Sequence, residues 1–214
     1  MNIFPKSTAS SISDHRKEEQ RRLGRALFQA IEDRDADEVI RLAPQIDDLD
    51  AQRISHSGDT PLICAARRDL APQAVKVLLA RSNPKLRAAD GSTALLFAAW
   101  GSESHSAELV RLLLPHCDPL ALREEDVLGV GNSALHCAIF CRNREIIEML
   151  LPVSDLAQID RMGMTPLEQA LDSHSQAAAD MILAEVARRE ALALAAEISM
   201  ATGVPQARNA SPRL

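Results

Sequence analysis

The sequence has very few aromatic residues: no tyrosine, one tryptophan and four phenylalanines among 214 residues. All-β domains draw heavily on aromatic and β-branched side chains, so this scarcity argues against a sandwich or barrel. Alanine and leucine supply most of the 46% of residues that are hydrophobic. Small and straight side chains favour closely packed helices. We therefore expect an all-α protein with a sizeable core.

The sequence also lacks a long hydrophobic run. No stretch approaches the ~18 uninterrupted apolar residues of a membrane span, and residues 1–13 contain no apolar centre of a signal peptide. The four cysteines, Cys64, Cys117, Cys137 and Cys141, follow no paired spacing. That pattern is typical of a reducing compartment. We expect a cytoplasmic protein that does not enter a membrane.

A strong basic patch is absent as well. The formal net charge is -6, whereas nucleic-acid binders concentrate lysine and arginine on one face. Arg21, Arg22 and Arg25 do cluster, but Glu18 and Glu19 stand beside them. A solvated helix face is the better interpretation. We expect no nucleic-acid partner.

What the sequence does contain is a repeat. A segment that begins with glycine, continues with a hydroxyl residue and a leucine, and ends in an apolar pair occurs four times. The glycines are Gly58, Gly91, Gly131 and Gly163, at intervals of 33, 40 and 32 residues. Such regularity indicates a stack of similar structural units.

Each repeated position has a physical reason. The glycines permit the positive φ of a tight turn. The hydroxyl residues can cap a helix, and Pro61 and Pro166 suit its first turn; Ala94 and Ala134 replace proline in the other two units. A second helix follows each time, with an apolar stripe at helical spacing. The capping residues are Thr60, Thr93, Ser133 and Thr165, and the second helices are expected at 74–79, 108–114, 145–151 and 177–183.

These features resemble the ankyrin-repeat family, whose signature is a Thr-Pro-Leu turn followed by two helices in about 33 residues. The resemblance covers about residues 22–188 in about five repeats. It implies an ankyrin solenoid of stacked helix-turn-helix units joined by β-turn fingers. The first unit lacks the turn motif, as terminal units often do.

The resulting domain organisation has three parts. Residues 1–13 and 201–214 are expected to be disordered tails around a single ankyrin domain at 14–200. Asp14 is expected to cap a leading helix that runs to about Ala30. A long helix from Gln176 to about Met200 is expected to cover the last hydrophobic face through Met181, Leu183, Val186 and Leu192. The repeats are expected at about 22–54, 55–87, 88–127, 128–159 and 160–188.

The 40-residue interval contains an insertion at about Leu120–Val130, with charged residues at 123–126. One interpretation is a tolerated surface loop. The other is a specificity loop, because insertions in repeat arrays often lie on the binding face. The sequence leaves both open.

No catalytic or metal-binding constellation is evident. The six histidines form no pair at helical i, i+4 spacing. Cys137 and Cys141 share a helix face, but zinc normally needs four ligands, and His116 with Cys117 belongs to another element. His136 stands in the turn where a structural hydrogen bond is the preferred interpretation. We expect no enzyme activity, no metal and no cofactor.

The resemblance implies binding of another protein, because ankyrin partners usually meet the finger tips and the exposed side of the first helices. Trp100 and Phe140 occupy equivalent exposed positions in adjacent units. They are expected to form an aromatic patch bordered by Arg67, Arg68 and Asp172; the alternative is that the two rings serve only packing. The finger-tip candidates are His56, Asp59, Asp90, Ser92, Asn132, Arg161, Met162 and Met164.

Several functions follow as hypotheses. The first is a monomeric adaptor, scaffold or inhibitor that binds a partner protein. The second is a bacterial effector exported into a host cell, suggested by the serine-rich start and the small number of repeats. An enzyme and a self-assembling protein are further alternatives. The partner's identity cannot be read from the sequence.

Overall fold

The protein is a stack of five helical hairpins. The computed structural model describes residues 7–54, 56–101, 104–122 and 131–202. Within these ranges the chain forms ten α-helices, and no β-strand occurs. The helices are α1 Ser7–Glu32, α2 Ala36–Leu42, α3 Pro61–Arg67, α4 Pro72–Leu79, α5 Ala94–Trp100, α6 Ser106–Leu113, α7 Ala134–Phe140, α8 Arg144–Leu150, α9 Pro166–Asp172 and α10 Gln176–Thr202.

Each hairpin packs against its neighbours through equivalent helices. The first helices form one row, in which α1 contacts α3, α3 contacts α5, α5 contacts α7, and α7 contacts α9. The second helices form a parallel row in the order α2, α4, α6, α8 and α10. This arrangement buries one continuous core between the two rows.

The helix starts confirm the predicted caps. The hydroxyl groups of Thr60, Thr93, Ser133 and Thr165 accept hydrogen bonds from the backbone amides of Ile63, Leu96, His136 and Glu168. Each bond satisfies an amide that would otherwise lack a helical partner. The start of every repeated first helix is therefore set by a hydroxyl residue.

The predicted glycine turns are also present. Gly58, Gly91 and Gly163 have φ angles of 68°, 79° and 77°, a region that is costly for residues with a Cβ atom. Each glycine closes a finger in which backbone groups pair, as in the bond from the Asp160 amide to the Met164 carbonyl. The finger before Gly131 includes residues 123–130, so most of the predicted insertion lies outside the described residues.

The amino terminus differs from the prediction. Helix α1 begins at Ser7, so Asp14 lies within the helix, and residues 7–13 are helical instead of belonging to a disordered tail. The physical reason is that extending an existing helix needs no new nucleus, and residues 7–13 contain neither proline nor glycine. Residues 1–6 lie outside the described part of the chain.

At the carboxyl end, α10 packs against α9 and α8 and ends the stack. The predicted contacts were Met181, Leu183, Val186 and Leu192. Met181 does pack against the core and Val186 is half-buried, but Leu183 and Leu192 are 50% and 56% exposed, so the prediction was wrong for these two. The buried apolar positions are Ala178, Ala179 and Ile182, all within the first two turns of the helix. Residues 203–214 of the predicted tail lie outside the described residues.

None of the helices in the described ranges combines the length and the hydropathy needed to cross a bilayer.

Candidate functional site

Two aromatic rings meet on the surface of the first helices. Trp100 ends α5 and Phe140 ends α7, and their ring centroids lie 5.9 Å apart with the planes tilted by 57°. Such a tilted contact is favourable for aromatic pairs. Trp100 is 37% exposed and Phe140 is 65% exposed. The predicted aromatic patch, defined by these two residues, is present and open to solvent.

The helix register explains why these rings face outward. Ala98 and Ala99 are buried beside Trp100, as Ala138 and Ile139 are beside Phe140. The last position of each helix is the one directed away from the core. Cys141 links the two units behind the rings, because its thiol donates to the Trp100 carbonyl oxygen at 2.8 Å.

A pocket of about 190 Å³ opens beside the aromatic patch. It lies between α7, α9 and the finger that joins the fourth and fifth hairpins. Apolar and polar side chains both line it. They are Trp100, Asn132, His136, Cys137, Phe140, Asp160, Arg161, Met162 and Gln169.

His136 is a structural residue within this pocket, as predicted. Its Nδ1 lies 2.8 Å from the Ser133 hydroxyl and 3.3 Å from the Ser133 amide. Its Nε2 lies 3.3 Å from the Met164 carbonyl oxygen. Burial lowers the pKa of His136 below its usual range, although the Asp160 carboxylate opposes this shift. A neutral imidazole with the proton on Nε2 fits all of these contacts.

Two further polar groups were not anticipated. Asp160 is 3% exposed, and its Oδ1 accepts from the amides of Met162 and Met164 at 2.8 and 2.9 Å. The Oε1 atom of Gln169 is buried without a hydrogen-bond partner. The sequence did carry a signal for Gln169, because the equivalent repeat positions hold Cys64, Phe97 and Cys137.

Arg67 borders the patch but is already engaged by Asp59 of its own unit and by Phe97 of the next. Its Nη2 donates to Asp59 Oδ1 at 2.9 Å, and its guanidinium carbon lies 4.2 Å from the centroid of the Phe97 ring. Burial raises the pKa of Asp59, and the charge of Arg67 counteracts this rise. Arg67 therefore neutralises a buried carboxylate.

The other border residues are more exposed. Arg68 forms an ion pair with Glu32 of the first hairpin. Asp172 ends α9 and is exposed. It takes, in the fifth hairpin, the position that Phe140 takes in the fourth. The equivalent positions in successive hairpins are thus occupied by one cation, two aromatic residues and one carboxylate, which are Arg67, Trp100, Phe140 and Asp172.

The predicted finger-tip residues divide into accessible and buried groups. Met162 is 79% exposed, and His56 and Arg161 are also exposed. Asp90, Asn132 and Met164 are half-buried.

Asp59 and Ser92 are both 0% exposed, so their prediction as contact residues was wrong. The cause is that each follows the glycine turn where the finger returns to its helix. The carbonyls of Asp59 and Ser92 accept from the amides of Ile54 and Ala88 at 3.0 and 2.9 Å.

The cysteines have the properties of packing residues. Burial raises the pKa of Cys64 to about 12 and that of Cys117 to about 11, so both remain thiols at neutral pH and are poor nucleophiles. No group of three or more metal-binding side chains occurs within the part of the chain that the structure describes.

Repeated caps, repeated glycine turns and two rows of stacked helices define a helical-hairpin repeat protein. The family model for ankyrin repeats (3 copies) matches residues 27–123 and, in a second overlapping match, residues 102–191. The chain belongs to the ankyrin-repeat family. None of the curated proteins matches the chain significantly. Ankyrin repeats are generally protein-protein interaction modules and typically have no enzymatic activity.

Proposed function

We propose that this protein binds a partner protein through the aromatic patch and the accessible finger tips beside it, as an adaptor, scaffold or inhibitor without enzymatic activity. The observation that carries the proposal is the contact between Trp100 and Phe140 on the open side of the first helices. The partner is expected to place its main anchor there, with a single copy of this chain in the complex.

The physical support comes from the cost of exposing aromatic surface. Trp100 is the only tryptophan in the chain, and neither ring is needed to fill the buried core. Exposed apolar groups surrounded by polar residues are typical of interaction sites. Tryptophan is also strongly enriched among the residues that dominate binding energy. Arg68, Arg161 and Asp172 provide the polar surroundings.

Parallel affinity purification tests the proposal. The wild-type protein and the Trp100→Ala/Phe140→Ala variant are used as baits in extracts of the native cell. A matched control, Leu192→Ala/Leu194→Ala, removes two exposed apolar side chains from α10, away from the patch. A partner should be retained by the wild type and the control and lost from the aromatic variant. Retention of every captured protein by the aromatic variant would contradict the proposal.

Export into a host cell is a second proposal about where this binding occurs. It is supported by the small number of repeats and by the serine-rich start of the sequence, whose residues from Ser7 onward begin α1. Fusing residues 1–20 to a secretion reporter tests it. A reporter that stays in the producing cell would remove this proposal and leave the cytoplasmic location.

A further inference from the structure

The pocket beside the aromatic patch combines an apolar wall with hydrogen-bond acceptors. Trp100, Phe140 and Met162 form the wall, and all three are substantially exposed. Aromatic faces of this kind attract cations as well as apolar groups. The wall alone therefore does not decide which side chain the pocket receives.

The polar groups of the pocket indicate whether it receives a cationic or an apolar side chain. The Oε1 atom of Gln169 has no donor, and a buried acceptor without a partner costs free energy until a donor reaches it. The Asp160 carboxylate lines the same pocket. His136 offers no spare nitrogen, because Nδ1 faces Ser133 and Nε2 faces the Met164 carbonyl. The pocket thus presents two acceptors, Gln169 Oε1 and the Asp160 carboxylate, to an incoming side chain.

We propose that this pocket receives a lysine or arginine side chain of the partner protein. The aliphatic stem lies against Trp100, Phe140 and Met162, and the cationic head reaches the Asp160 carboxylate and Gln169 Oε1. Long basic side chains bind in this way, with the stem on apolar surface and the charge at a polar end. The inference rests on the proposed function, since it names the anchor of the same partner.

A basic anchor fits the surrounding charges because the cations that border the patch are already paired, Arg67 with Asp59 and Arg68 with Glu32. Asp172 presents an exposed carboxylate at the position next along the row from Phe140. Arg161 is the cation among the described lining residues, and it already has an interaction of its own. A volume of about 190 Å³ accommodates one long side chain. An apolar anchor would leave the Gln169 acceptor unpaired.

A random twelve-residue peptide library displayed on phage provides the probe. The full chain is the target, and the folded Trp100→Ala/Phe140→Ala variant is used for counter-selection. The peptides that require the patch should share a lysine or arginine at one position. Replacing that residue with norleucine in a synthetic peptide should weaken binding at least tenfold, because the stem remains while the charge is lost.

A protein variant tests the acceptor directly. Gln169→Leu should weaken the binding of the basic peptides at least fivefold. The control, Gln73→Leu, makes the same change at an exposed position of α4 and should leave their binding unchanged. Gln169→Leu removes an unpaired buried acceptor, so the variant should fold. If it does not, the norleucine peptide alone still decides the question.

The outcomes separate the two claims. Patch-dependent peptides that share leucine or phenylalanine and no basic residue would overturn the basic anchor and leave the proposed binding site intact. Basic peptides whose binding is unchanged by the norleucine replacement would also overturn the basic anchor and leave the proposed binding site intact. If no peptide requires Trp100 or Phe140, the proposed function and the basic anchor both fail.

Discussion

The Nε2 atom of His136 lies 3.3 Å from the carbonyl oxygen of Met164. This contact connects α7 of the fourth hairpin to the finger that precedes the fifth. On its other side the same imidazole completes a capping box with Ser133. One neutral side chain therefore fixes both the start of its own helix and the position of the next finger.

This arrangement predicts a pH-dependent stability. The pKa of His136 is lowered in the folded state because burial disfavours the charged ring. Below an unfolded pKa of about 6.5, the unfolded chain binds a proton that the folded chain excludes. The free energy of unfolding should therefore fall as pH decreases below about 6.5, by at most ~1.4 kcal/mol per pH unit until the lowered pKa is reached.

Urea unfolding of the wild type and His136→Gln between pH 7 and pH 5 measures this effect. Glutamine retains an acceptor for the Ser133 amide but does not titrate. The variant should lose the decrease between pH 6.5 and pH 5. An identical decrease in both proteins would assign it to other groups.

The ion pair of Arg67 and Asp59 predicts that removing Arg67, at the edge of the patch, destabilises the fold. Asp59 is 0% exposed, so Arg67→Ala leaves its carboxylate without the opposing charge. We expect the free energy of unfolding at pH 7 to fall by about 1–3 kcal/mol. Adding Asp59→Asn should recover part of that loss.

Arg68→Ala is the matched control for Arg67→Ala. Its ion pair with Glu32 is exposed to solvent, and surface pairs contribute about 0–1 kcal/mol. Chemical denaturation of all four proteins gives the comparison. Equal losses for Arg67→Ala and Arg68→Ala, with no recovery from Asp59→Asn, would show that the burial of Asp59 has no energetic consequence.

A strained residue in the connection between two paired helices offers a substitution that should stabilise the protein. His174 has a φ of 55° and is exposed. Glycine removes a left-handed penalty of about 1–2 kcal/mol and adds an entropic cost of about 0.5–1 kcal/mol. His174→Gly should thus raise the free energy of unfolding by about 0.5–1 kcal/mol.

Ser173→Gly is the control for this substitution, because Ser173 has an ordinary φ of -77°. It should lower stability by about 1–2 kcal/mol, since the entropic cost applies in full and the hydrogen bond from the Ser173 hydroxyl to the Ala170 carbonyl is lost. Thermal unfolding followed by circular dichroism distinguishes the two. A loss of stability in both variants would be inconsistent with strain at His174.

The sequence predicted the fold because its decisive residues act locally. A glycine turn and a hydroxyl cap depend on backbone geometry within a few residues, so their recurrence was enough to locate the fingers and helices. The aromatic patch followed from the same register, since Trp100 and Phe140 stand at equivalent helix ends.

The parts that the sequence did not predict depend on contacts between elements. Asp59 was expected at a finger tip, but the finger turns its side chain toward Arg67, eight residues further along the chain. The pocket forms where three elements meet. Repeat spacing could therefore mark Gln169 as an unusual polar residue at its position, but it could assign neither Gln169 nor Asp160 to a pocket. Helix α1 extended further because local sequence contains no signal that stops it.

Isothermal titration of a purified partner against the Trp100→Ala variant tests the binding site most directly. Loss of an interface anchor of this size should cost ~2 kcal/mol or more, a decrease in affinity of about thirtyfold. The free energy of unfolding should change less than in Leu95→Ala, a core truncation that costs ~2–5 kcal/mol. Unchanged affinity together with a stability loss equal to that of Leu95→Ala would show that Trp100 serves packing alone.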